Sequence, residues 1–129
     1  MATRAGVLAR AINEILDRPG LLSDRNLRDQ LRRASDSIVS NIAEGFAQPT
    51  DRSFANYLFK SKGSTAEART QLRLAWNRDY ITEQEYHARN NIGDELAAML
   101  TGLIKYLIKS DRRDRGLGPR HPRNAPSRK

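Results

Sequence analysis

The side chains best spaced for joint chemistry are Ser37, Asn41 and Glu44, and then Ser64, Glu67 and Gln71. Steps of three and four residues place each trio along one edge of a helix, close enough to act together. Serine beside a carboxylate and an amide is raw material for nucleophilic or acid–base catalysis, but that chemistry needs a positioned base. The chain has no cysteine and two histidines, His87 and His121. His87 follows Glu83 by one helical turn, the spacing of a surface ion pair, and His121 lies in a basic C-terminal stretch. The paired Glu-x-x-His motifs of a di-iron bundle are missing. No catalytic residue, metal site or cofactor is therefore expected. The six polar residues read as a buried hydrogen-bond network that fixes the register of two helices.

Arginine supplies the other candidate chemistry. Arg25, Arg28, Arg32 and Arg33 occupy the side of one helix opposite its apolar seam, and Lys62, Arg69 and Arg73 share a face of another. Planar guanidinium groups suit phosphate contacts better than point charges do, so each face is a candidate track for nucleic-acid backbone. Asp24, Asp29 and Asp36 lie near the first set, and the plain alternative is a solvated face laced with weak ion pairs.

These residues ride on four helical segments. Residues 4–17 form the first, with Val7, Leu8, Ala11, Ile12, Ile15 and Leu16 facing inward and Pro19-Gly20 as its stop. Ser23 caps the second, Leu27, Leu31, Ala34, Ile38 and Ile42 form its seam, and Gly45 ends it. Thr50 caps the third, whose stripe runs through Phe54, Tyr57, Leu58, Ser61, Thr65, Ala68, Leu72, Ala75 and Trp76. The middle of that stripe is small and polar, and Gly63 costs the helix about 1 kcal/mol against alanine, so a close approach by a helix or a second subunit is expected there. Thr82 and Glu85 match a capping box for the fourth helix. Its seam is Tyr86, Ile92, Leu96, Leu100, Leu103, Ile104 and Leu107, while Ala98 and Gly102 leave room for another helix. Periodicity ends after Lys109. The expected organisation is all-α: an up-down-up-down four-helix bundle over residues 1–110 and a disordered, basic C-terminal tail over residues 111–129.

The net charge is +8. Residues 111–129 hold six arginines and one lysine against two aspartates, a net +5, and Arg112, Arg113 and Arg115 open that stretch. A mobile polycation of this kind favours an acidic partner, nucleic acid before membrane surface. The absence of cysteine fits a cytoplasmic protein. No apolar run is long enough to span a bilayer, and Arg10 and Glu14 break up the N-terminal apolar block, so neither membrane span nor secretory signal is expected.

The segment QLRRASDSIVSNIAEG (residues 30–45), followed by Ser53, Phe54, Tyr57-Leu58, Gly63-Ser64, Glu67, Thr70-Gln71-Leu72, Leu74-Ala75 and Tyr80, resembles a known four-helix-bundle family. This is the family named for the 23S ribosomal RNA intervening sequences, related to the accessory variability determinants of diversity-generating retroelements. The combination Ser-Ile-x-x-Asn-Ile-Ala-Glu-Gly with Gly-Ser-x-x-Glu is specific, and similar spacing continues through the Leu100 to Leu107 seam. The resemblance implies a homopentameric ring without enzymatic activity; in the retroelement relatives the ring binds nucleic acid and a reverse transcriptase. Two positions depart from the pattern: Lys60 stands where the family is aliphatic, and Asp79 where a glycine commonly precedes the tyrosine.

Together these features point to a non-enzymatic, oligomeric accessory protein that contacts RNA or DNA phosphates through its arginine faces and tail. The alternative is a structural module whose ring docks a protein partner. Salt separates the two, because phosphate binding weakens steeply as salt rises and an apolar interface does not.

Overall fold

Three polar side chains set where the long helices begin. The Asp24 carboxylate accepts from the Leu27 backbone N–H at 3.3 Å, Thr50 from Ser53 at 3.1 Å, and Thr82 from Glu85 at 3.1 Å. The Glu85 carboxylate accepts in return from the Thr82 N–H at 2.9 Å, completing the capping box. Each cap satisfies backbone donors that the helix leaves unpaired and contributes about 1 kcal/mol.

The computed structural model describes residues 1–117. Among them are five α-helices and no strand: α1 (Ala2–Asn13), α2 (Pro19–Ser23), α3 (Arg25–Phe46), α4 (Asp51–Asn77) and α5 (Glu83–Arg112), followed by a π-helical turn at Arg113–Leu117. Helix α1 packs on α3 and α5, α3 packs on α4, and α4 packs on α5, so α1, α3, α4 and α5 close a four-sided arrangement around one core. The short α2 lies against α3.

The apolar stripes meet as their spacing requires. Leu27, Leu31, Ala34, Ile38 and Ile42 of α3 are all buried, as are Leu96, Leu100, Ile104 and Leu107 of α5. The small polar centre of α4 is buried too, and its hydroxyls are satisfied by backbone: Ser61 donates to the Ile38 carbonyl and Thr65 to the Ser61 carbonyl, both at 2.9 Å. Burying a hydroxyl without such a partner would cost a few kcal/mol.

Several boundaries differ from the sequence-based expectation. Helix α1 ends at Asn13, four residues early, because the turns at Ile15 and Leu16 tighten to three-residue hydrogen bonds. Distant arginines then take the carbonyls of that region: Arg89 donates to Ala11 at 2.8 Å and Arg28 to Leu16 at 3.0 Å. Pro19 begins α2 instead of closing α1, using the first helical position, where its missing N–H costs nothing. The ring of Tyr80 packs against Gly20 so closely that a Cβ there would lie 2.2 Å from a ring carbon. Asp24, not Ser23, caps α3.

Gly45 lies inside α3, which runs one residue further; its missing side chain admits the Phe54 ring, 3.0 Å from where a Cβ would stand. Gly63 and Gly102 meet nothing within 4 Å, so neither brings helices of this bundle together; Gly93, against the Arg69 side chain, does. Residues 111–117 are helical, a correction to the tail boundary: Ser110 is buried, and Asp111 and Arg115 pair at 3.8 Å along the extended helix. The remainder of the expected tail lies outside the described residues.

The α4–α5 connection ends α4 with a Schellman pattern, in which the Tyr80 N–H reaches the Ala75 carbonyl and the Asp79 N–H the Trp76 carbonyl, both at 2.9 Å. Asp79 takes the left-handed position of that turn at φ 61°.

Candidate nucleic-acid interface

The four arginines of α3 have different surroundings. Arg28 is half-buried: its Nε donates to the Leu16 carbonyl and its Nη2 lies 3.2 Å from the Asp17 carboxylate. That geometry makes Arg28 a clamp between α3 and the end of α1 and corrects its assignment to an open basic face. Arg32 pairs with Asp36 one turn on, at 3.6 Å between exposed groups. Arg25 is exposed and has no carboxylate partner among the described residues. Arg33 turns toward α4 and lines a groove of about 550 Å³ together with Gln30, Ser37, Glu67 and Gln71.

That groove brings the basic and polar candidates together. Ser37 and Ser64 share a hydrogen bond of 2.7 Å across α3 and α4, and the Asn41 amide donates to the Ser37 hydroxyl at 2.9 Å and to its carbonyl at 2.8 Å. Gln71 reaches Gln30 at 3.4 Å, while its own amide oxygen is buried without a hydrogen-bond partner. Glu44 and Glu67 are exposed and stand outside the hydrogen-bonded set. Of the six residues expected to form a buried network, Ser37, Asn41 and Ser64 are joined by hydrogen bonds under a polar groove, Ser64 buried and the other two half-buried.

The basic face of α4 turns toward α5. Arg69 donates to Asn90 at 2.8 Å and pairs with Asp94 at 3.5 Å, its chain resting on Gly93. The Arg73 guanidinium lies 5.6 Å from the Trp76 ring centre and 5.8 Å from that of Tyr86. Those two rings are stacked with centroids 4.8 Å apart and planes 19° from parallel. Arg69, Arg73, Tyr86 and Asn90 line a second groove, of about 400 Å³. Lys62 is half-exposed nearer the start of α4. The sequence linked Arg69 to Arg73 by spacing, and Trp76 follows Arg73 by one turn on the same helix, but Tyr86 and Asn90 come from α5 and carry no local signal.

Arg112 continues a basic ridge on α5 with Lys105 and Lys109, beside exposed Tyr106 and Ile108, around a groove of about 500 Å³. Lys105, Lys109 and Arg52 are additions to the sequence-derived set; the helical spacing of the first two with Arg112 was available as a clue. Arg113 is exposed, and Arg115, besides pairing with Asp111, lines a groove of about 260 Å³ with Arg52, Phe59 and Ile108.

Elsewhere, charged side chains fasten one end of the bundle. Arg18 holds both oxygens of Glu85, and this hydrogen bonding, with that from the Thr82 N–H, lowers the Glu85 carboxyl to about 2. Asp24 accepts from Tyr80 at 2.9 Å and from Arg78 at 2.7 Å; the Tyr80 bond is the main reason its carboxyl is shifted below the ordinary range. Arg89 is only 8% exposed, and burial lowers its pKa although Glu14 lies 3.2 Å away. His87 and Glu83 stand 3.5 Å apart at the surface, the pair their spacing implies. Among the described residues, no cluster of histidine and carboxylate side chains is placed to hold a metal ion, and no helix is long and apolar enough to cross a membrane.

No curated protein matches the chain. One similar solved structure is a protein of unknown function from the S23 ribosomal protein family of Bacteroides thetaiotaomicron VPI-5482; it shares 24% identity at a TM-score of 0.70, over 81% of this chain and 97% of that one. At that identity the likeness supports the helical fold alone. The family model for the 23S rRNA-intervening sequence protein matches residues 1–102, so it takes in α1 and α2 as well as the motif-bearing helices and stops short of the basic C-terminal stretch. By that match across most of its length, the chain belongs to the 23S rRNA-intervening sequence protein family.

Proposed function

We propose that this protein is a non-enzymatic, cytoplasmic nucleic-acid-binding accessory protein that works as a homo-oligomer. The observation that carries the proposal is that several guanidinium groups are left without carboxylate partners among the described residues, among them Arg25 and Arg33 at α3 and Arg73 at the α4–α5 groove. A solvated decorative face would pair its arginines as Arg32 and Asp36 do. Unpaired guanidinium groups release counterions on meeting phosphates, which gives affinity with little base readout and a steep dependence on salt.

The ring-forming relatives suggest five subunits, and the exposed apolar groups Phe59 and Ile108, together with the open helix surface at Gly63 and Gly102, support an assembly interface. A reverse transcriptase is a partner carried over from the retroelement resemblance. The same apolar groups favour the second reading, in which the assembly docks a protein and its charge serves solubility.

The discriminating variant pairs R25E with R33E and leaves Arg28 intact, because reversing Arg28 would loosen α1 and confound the result. Nucleic-acid affinity should fall about tenfold or more at low salt with no change in melting temperature, as expected when several phosphate contacts are lost. Unchanged affinity for both RNA and DNA would remove the α3 face from the interface.

A further inference from the structure

We infer that the groove between α4 and α5 takes an unpaired nucleobase, and that Arg73 is its platform. This deepens the nucleic-acid reading above and rests on it. Arg73 differs from the other exposed arginines in how it is held. Its guanidinium lies beside the stacked Trp76–Tyr86 pair, 5.6 and 5.8 Å from the two ring centres, and Nη1 reaches the Tyr86 hydroxyl at 3.4 Å. No carboxylate pairs with it among the described residues, so its charge is offset by the neighbouring aromatic groups. A guanidinium held beside an aromatic pair is partly ordered before any ligand arrives, and its free face is a flat, cationic stacking surface.

The rest of the groove suits one nucleotide. Its volume of about 400 Å³ and its lining of Arg69, Thr70, Leu74 and Asn90 combine apolar wall, hydrogen-bonding groups and a second cation. Arg69 is held across the groove by Asn90 and Asp94, so it does not collapse onto Arg73 and the groove stays open. A duplex cannot use such a platform, because its bases present edges and not faces. The ligand class is therefore single-stranded nucleic acid, in which stacking is available to any base.

The test uses the full chain and its single tryptophan, Trp76, as reporter. A short mixed-sequence RNA oligonucleotide is titrated against the wild type and R73K, with the same sequence annealed to its complement as the comparison. R73K keeps the charge and loses the plane. The single strand should quench Trp76 fluorescence, and R73K should weaken single-strand binding about tenfold, within the range for loss of one stacked base, while duplex binding stays the same. Equal single-strand affinity in R73K, or equal quenching by the duplex, would overturn the platform and leave phosphate binding standing. If neither strand form binds the wild type at low salt, the nucleic-acid reading itself fails, and the platform with it.

Discussion

Asp79 shows how one residue can work against the fold it sits in. The Schellman turn that ends α4 needs a left-handed residue, and Asp79 adopts φ 61° to complete it. An L-residue pays roughly 1–2 kcal/mol for that conformation, more than the extra unfolded-state freedom glycine would bring. D79G should therefore raise stability by about 0.5–1 kcal/mol, seen as a higher melting temperature with unchanged nucleic-acid affinity; a lower melting temperature would show that Asp79 contributes more than backbone shape. The departure from glycine at this position was legible in the sequence, and so was the Glu83–His87 pair. The role of Arg28 was not: its partners, Leu16 and Asp17, sit on the turn after α1, and helical spacing within α3 carries no information about them.

At the scale of elements, the clearest device is the start of α5. Glu85 closes the capping box and grips Arg18, and these bonds hold its carboxyl at about 2 against an ordinary 4.5. A lowered folded-state pKa gives stability that is present above the ordinary value and lost as pH falls toward the folded one. Wild-type melting temperature should therefore drop as pH falls from about 4.5 to 2. Glutamine keeps the box geometry but not the ion pair, so E85Q should melt lower at neutral pH and lose less across that window. Parallel acid curves for the two proteins would contradict this account. Some acid sensitivity should persist in E85Q, because Asp24 is shifted in the same direction.

The boundaries of α3, α4 and α5 were largely legible because caps and apolar stripes are local. The end of α1 was not, since Arg28 and Arg89 reach its carbonyls from other helices. Gly63 is a related case: no helix of this bundle approaches it, which leaves a second subunit as the expected neighbour, and that is a property of the assembly.

At the scale of the whole molecule, charge is sorted by helix pairing. Arginines that reach a carbonyl or carboxylate of another element become clamps, as Arg28 and Arg89 do, whereas Arg25, Arg33 and Arg73 have no carboxylate partner among the described residues and stay at the surface and at groove edges. The sequence could supply the arginines but not this division, which depends on α3 meeting α4 and α4 meeting α5. On the proposed reading, the helical body, and not only the basic stretch beyond it, should bind nucleic acid. The most direct measurement is the affinity of the full chain and of a chain ending at Leu117 for one single-stranded RNA across a salt series. Both should bind, with the logarithm of affinity falling linearly against the logarithm of salt and a shallower slope for the shorter chain, which has fewer cations to meet phosphates. Binding confined to the full chain, or affinity indifferent to salt, would contradict a nucleic-acid surface on the bundle.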